Sequence, residues 1–190
     1  MSLRKRIGSA ARKLEGFFNW LFRGKSLGSH LAFLVFAYIA LKFVLFPAFL
    51  WVTGLNDVVA VLSGSMHHQP GSIEGTFDNW LEFNDYNESE YKNWPFIKGL
   101  DVGDAVTVLP GNITIGDVVV YYHGNEMIIH RVVMINKSDG LTYYTTKGDA
   151  NPDSMDFEIM IPESKIVGKA GTRVPLIGWP RTMMYYLVGV

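Results

Sequence analysis

The chain has 190 residues with 17 Lys and Arg against 18 Asp and Glu, and it contains no cysteine, which excludes disulfide staples, thiolate nucleophiles and Cys-based zinc sites. The near-neutral total hides a polarised chain, because residues 1–26 hold seven Lys/Arg and one Glu while the remainder is acidic. An acidic remainder argues against nucleic-acid binding, and once a membrane anchor is set aside about 135 residues are left, enough for one domain with a single core.

In residues 1–26, Arg4, Lys5, Arg6, Arg12, Lys13, Arg23 and Lys25 stand beside Phe17, Phe18, Trp20, Leu21 and Phe22. This mixture suits a short amphipathic helix on an anionic cytoplasmic leaflet, and equally a solvated basic tail. Leu31 to Val52 is nearly continuous apolar sequence, long enough to cross a bilayer once, so residues 27–54 are read as a retained anchor. Basic residues before the span place the N-terminus in the cytoplasm and residues 55–180 outside. Lys42 sits near mid-span, where snorkelling with helix tilt accommodates its charge, and Pro47 marks a kink near the outer end.

Asp57 to Met66, DVVAVLSGSM, reads as a β-branched strand breaking into a tight Ser63-Gly64-Ser65 turn, where a hydroxyl stands free. Taken alone it is also an ordinary small-residue turn. The stretch 67–100 is an aromatic and acidic insertion, in which Phe77, Trp80 and Leu81 have helical spacing for two to four turns ended by Pro95. A lid, a substrate wall, a membrane foot and a satellite helix all fit that composition.

From Val102 onward short β-branched runs alternate with Gly, Asp and Asn, and His123-Gly124-Asn125 and Ser138-Asp139-Gly140 read as hairpin turns. The expected fold is mainly β: a single N-terminal transmembrane helix, then a small curled antiparallel β domain with the helical aromatic-rich insertion. Residues 181–190 form an apolar segment too short to span.

A serine hydroxyl attacks only when a base takes its proton, and the base works best when a carboxylate fixes its tautomer. Strand alternation puts Ile128, His130 and Val132 on one face and Ile129 and Arg131 on the other. The loop after Lys147 supplies Asp149, Asp153 and Asp156, whose simpler roles are turn chemistry and solvation. Lys147 is a rival base, and a metal site from His67, His68 and His123 is disfavoured because adjacent histidines on an extended chain point apart.

The order Ser63-Gly64-Ser65-Met66 after one span, Gly116-Asp117-Val-Val-Val, Ile129-His130-Arg131-Val-Val and Thr146-Lys147-Gly148-Asp149-Ala-Asn151 resembles signal peptidase I of the archaeal and endoplasmic-reticulum type. The bacterial branch has lysine where this chain has His130. Gly168-Lys169 and Val174-Pro175-Leu-Ile-Gly178 extend the likeness to about Trp179. The resemblance implies Ser65 as nucleophile, His130 as base, and an oxyanion held by the Ser65 N–H and the Ser63 hydroxyl. Asp149 matches the first family aspartate; Asp156 fits the second, triad position if one residue is inserted, with Asp153 as the alternative. His67-His68-Gln69-Pro70 replaces the usual acidic residue and proline after Ser-Met.

The activity expected from this likeness is removal of signal peptides from exported preproteins, without a cofactor, at the outer face of the cell membrane. Its expected partners are the bilayer, the signal peptides, and the Sec translocon or other membrane subunits. Two other readings remain at this point: a non-catalytic membrane-anchored β module that binds partners, and a Ser-Lys self-cleaving peptidase using Lys147. Asn87-Glu-Ser, Asn112-Ile-Thr and Asn136-Lys-Ser match the glycosylation triplet.

Overall fold

The computed structural model describes residues 3–68 and 74–189, so the part of the insertion at 69–73, including Gln69 and Pro70, lies outside the described residues. Two compact units divide the chain, Met1–Thr53 and Gly54–Val190.

In the first unit, helix α1 (Leu3–Arg23) leads into α2 (Leu27–Ala40). Between them Gly24 lies so close to Trp20 O that a Cβ would meet it at 2.3 Å, and the Ser26 hydroxyl caps α2 by accepting from Ser29 N at 3.1 Å. Phe22 of α1 meets Phe33 and Phe36 of α2 edge-on at 5.8 and 5.7 Å. The helix then passes through a π-helical turn, Leu41–Leu45, into α3 (Phe46–Thr53). Pro47 has no N–H to give the preceding turn, and the chain widens there, Phe46 N–H bonding back to Leu41 O. Together Leu27–Thr53 make a 27-residue helix long and apolar enough to cross a membrane. Lys42 turns its ammonium to the Tyr38 hydroxyl, 3.3 Å away.

The second unit is built on one antiparallel seven-stranded sheet: β1 (Asp57–Ala60), β2 (Ala105–Leu109), β3 (Val118–His123), β4 (Glu126–Ser138), β5 (Leu141–Lys147), β6 (Ile161–Pro162) and β7 (Ile166–Val174). The spatial order is β1-β2-β7-β3-β4-β5-β6, an open sheet whose register shifts within the β2–β7, β3–β7 and β4–β5 pairs. The turn at Asp139-Gly140 has both residues at positive φ, 54° and 75°, which matches the twist of a two-residue hairpin.

Alternation along the central strands buries both faces. Val118 and Val120 join Val59, Val61, Met66, Leu100, Val106 and Val108 in one cluster; Val119 and Tyr121 join Val132, Tyr144 and Ile161 in the other. The insertion packs on the domain through α4 (Glu74–Phe83) and the short α5 (Glu88–Tyr91). Phe77 and Leu81 are buried, Tyr86 donates its hydroxyl to Val133 O at 3.0 Å, and the Trp94 ring lies against Gly116, where a Cβ would meet it at 2.5 Å. These contacts favour the satellite helix among the four uses read for the insertion. Pro95 does not end α4: Asp85 enters the left-handed region at φ 62°, and Tyr86 N–H closes on Leu81 O. Helix α6 (Trp179–Val188) completes the unit.

Candidate active site

Ser65 sits in a one-turn 3-10 helix, Gly64–Met66, directly after β1. The turn is fixed from both sides. Met66 is fully buried in the core and its carbonyl accepts from Leu100 N at 2.7 Å, while the Ser65 carbonyl accepts from Ala150 N at 2.8 Å. The Ser65 hydroxyl is thereby left facing His130, whose Nε2 lies 2.8 Å from Oγ. Ser63 Oγ is 3.1 Å from Ser65 Oγ.

His130 is 5% exposed and enters from the middle of β4. Its Nδ1 bonds to Glu158, not to an aspartate. Glu158 is fully buried and ends a 3-10 turn, Asp156–Glu158, that follows β5. Its other oxygen accepts from Met155 N at 2.8 Å, and Thr146 Oγ1 adds a contact at 3.3 Å. Phe157 stacks on His123 at 4.5 Å, pinning the turn to the end of β3.

Asp156, the expected acid, is not the carboxylate on His130; Glu158 occupies that position. Within so short a turn, side chains two residues apart leave in different directions. Asp156 is exposed to solvent, and the extra methylene of Glu158 lets it reach inward. Asp153, the alternative, is also exposed and accepts from Trp80 Nε1 at 3.3 Å.

Asp149 is brought close to the site but not onto His130. It is buried and gripped by Arg131, Nε to Oδ1 at 2.8 Å and Nη2 to Oδ2 at 2.6 Å, with His68 Nε2 at 3.0 Å. Burial alone would raise its pKa, but the Arg131 charge and the hydrogen bonds from His68 and Arg131 outweigh that and hold the carboxyl below its usual range. Asp149 thus acts as a brace: by fixing the loop it fixes Ala150 N–H on Ser65 O.

Arg131 is a residue whose role the sequence reading missed. Fully buried on the face opposite His130, it also donates to Pro95 O, Gly116 O and Phe96 O at 2.7, 2.8 and 3.0 Å and lies over the rings of Phe77 and Trp94. It ties the insertion to the sheet. The available signal was its placement: a charge in a strand of Ile and Val, on the face away from the histidine, requires a buried partner.

Lys147 pairs across from Arg131 and shares its face. Its ammonium donates to Gly148 O at 3.1 Å and sits 5.6 and 5.2 Å from the rings of Phe77 and Trp80. His130, and not Lys147, holds the Ser65 hydroxyl, which removes the geometric ground for a Ser-Lys pair. Burial pushes the Lys147 pKa down from 10.5 to about 8 despite Asp149, Asp153 and Glu158 nearby. Between those two values the unfolded chain binds more protons, so folding stability gains as pH rises. Relative to Lys147→Met, wild-type unfolding free energy should therefore climb by on the order of 3 kcal/mol from pH 8 to 10.5. Denaturant titrations in micelles at both pH values check this, and a pH-independent difference would refute it.

Gly148 explains how close the parts come. A Cβ there would lie 2.9 Å from both His130 Nε2 and Ser65 O, and 2.7 Å from Asn151 Nδ2. Gly148→Ala must displace the histidine or the serine turn, and misplacement on the scale of 1 Å costs about a hundredfold in rate. Peptide-cleavage kcat/KM is the measurement, and an undiminished value would show that the approach is slack.

His67, His68 and His123 do not converge: His67 bonds Asp101, His68 bonds Asp149 and His123 stacks on Phe157. Among the described residues no group of three His, Cys, Asp or Glu side chains is arranged to hold a metal. The chain matches no protein-family model, and no curated protein matches it significantly.

Proposed function

We propose that the chain is a membrane-anchored serine endopeptidase that removes signal peptides from exported preproteins, with Ser65 as nucleophile, His130 as general base and Glu158 as the acid that orients it. The observation that carries the reading is the continuous relay from Ser65 Oγ through His130 Nε2 and Nδ1 to the buried Glu158 carboxylate. The apolar helix Leu27–Thr53 supports the anchor, and the ordered motifs shared with signal peptidase I support the substrate class.

In this mechanism the Glu158 carboxylate accepts a hydrogen bond from Nδ1–H, which holds the proton on that nitrogen and leaves Nε2 free to take the Ser65 proton. Oγ bonds to the scissile carbonyl carbon, and the carbonyl electron pair moves to oxygen. The Ser65 N–H and the Ser63 hydroxyl meet that oxyanion, each donor contributing on the order of 3 kcal/mol. His130 gives its proton to the departing amine as the C–N bond breaks. Water, deprotonated by the same nitrogen, then cleaves the acyl ester and returns Ser65.

β1 is the end strand of the sheet and runs toward Ser65, so an extended peptide can add along it. The basic residues before the apolar helix support a cytoplasmic N-terminus with residues 55–180 outside. The deciding experiment combines labelling of the purified chain by a serine-directed fluorophosphonate with cleavage of a preprotein in membranes, wild type against Ser65→Ala. Absence of both would favour a binding module.

A further inference from the structure

Helix α6 is fixed to the domain at the residues between β1 and the Ser65 turn. Thr182, its one buried residue among those described, donates to Gly178 O at 3.1 Å and reaches Val61 O at 3.5 Å, and Tyr186 donates to Leu62 O at 3.0 Å. Gly178 N bonds Gly103 O at 2.9 Å, and the Trp179 indole lies on Gly103, where a Cβ would meet it at 2.5 Å. This is an anchored helix and not a frayed tail.

Its outward side is unlike that of an ordinary surface helix. Leu176, Ile177, Met184, Tyr186, Leu187 and Val188 are each 59–78% exposed, and Arg181 is the one charged residue in the helix. Soluble surfaces rarely present such a run.

We propose that α6 and the Leu176-Ile177 turn before it dock into the lipid–water interface of the same bilayer that the apolar helix enters. Four observations select lipid as the occupant. First, the chain has a helix able to cross a membrane, and only Gly54–Asn56 separate it from β1 in sequence. Second, after Glu163 the chain has no Asp or Glu, and while Lys169 pairs with Asp117 and Arg173 with Asp101 and Asp104, the exposed Arg181 at the start of α6 offers a cation to anionic headgroups. Third, Trp179, Tyr185 and Tyr186 are the residue types that settle at headgroup depth. Fourth, ten residues rise only about 15 Å, too short to span and suited to lying in the interface.

Docking there has a consequence for the candidate active site. Val61 and Leu62, which hold α6, precede Ser65 by four and three residues. On this proposal α6 holds the residues that lead to Ser65 near the membrane boundary. The proposal needs the membrane and not the chemistry, so it stands or falls separately from the peptidase reading.

The absence of cysteine makes the test direct. Single-cysteine chains Leu176→Cys, Leu187→Cys and Asp139→Cys, each in the full-length protein and each checked for an unchanged thermal melt, are labelled with an environment-sensitive fluorophore and reconstituted in vesicles containing anionic lipid. The expected result is blue-shifted emission at 176 and 187, with quenching by doxyl-labelled lipid several-fold above that at 139 and protection from aqueous iodide. Iodide quenching at 176 and 187 equal to that at 139 would overturn the proposal. So would self-quenching that vanishes on dilution with lipid, which would indicate a second copy, or insensitivity to both quenchers, which would indicate a protein cover.

Discussion

Ser65→Ala is expected to lower preprotein cleavage by on the order of a million-fold in kcat while leaving substrate affinity and the thermal melt unchanged. Alanine removes only Oγ, the atom bonded to His130 Nε2 at 2.8 Å. What positions the turn is elsewhere: Met66 in the core, and the backbone bonds of Ser65 O and Met66 O. Ser63→Ala gives a useful contrast, because its Oγ lies 3.1 Å from that of Ser65 and is assigned to the oxyanion and not to attack. Its loss should cost between a hundred- and a thousand-fold, on the scale of one such donor. Kinetics on a signal-peptide substrate in micelles, with fluorophosphonate labelling in parallel, separate the two. Cleavage by Ser65→Ala at the wild-type rate would end the peptidase reading; a Ser63→Ala defect as deep as that of Ser65→Ala would point to Ser63 as the attacking group.

Much of the architecture was legible because it rests on local rules. The apolar run marked the helix Leu27–Thr53, and the β-branched runs after Val102 became strands because alternation bounded by turn residues is a local signal. β6 was missed, since Ile161–Pro162 is two residues long and is defined by its partners Tyr143 and Tyr144 and by nothing in its own pattern. The end of α4 was misplaced because a strong breaker, Pro95, outweighed a quieter device, the left-handed turn at Asp85.

At the candidate site the same division holds. Ser65 and His130 were legible because each stands at the break or on one face of a regular element, and the structure brings them together. The carboxylate that meets His130 was not, because it lies in an irregular loop where counting residues from Lys147 says nothing about direction. Asp149, read as a member of the family motif, turned out to serve Arg131, and Arg131 itself drew no functional reading because its partners come from the insertion and the loop, far apart in sequence. Long-range pairing of buried charge is the information that periodicity does not hold.

That difference between Asp149 and Glu158 sets up the second large effect. Glu158→Gln is expected to lower kcat by about ten-thousand-fold with little change in stability. The amide keeps an oxygen for Met155 N–H, at 2.8 Å in the wild type, so the turn survives. What changes is the atom facing His130 Nδ1: an NH2 there donates where the carboxylate accepted, which drives the imidazole proton onto Nε2 and leaves nothing to take the Ser65 proton. Asp149→Asn should behave in the opposite way. It leaves the Arg131 guanidinium buried without its counter-charge, a loss of about 3–5 kcal/mol, and its activity defect should follow the fraction unfolded. Asp156→Asn alters an exposed group and should be nearly silent in both measurements. A complete set of kcat values and melting temperatures for the three variants decides the assignment. Wild-type turnover in Glu158→Gln, or a deep loss in Asp156→Asn with an intact melt, would return the acid to Asp156. If instead Glu158→Gln unfolds the domain, nitrogen-15 chemical shifts of His130 in the wild type still report which ring nitrogen is protonated, and a proton on Nε2 in the resting chain would contradict the relay.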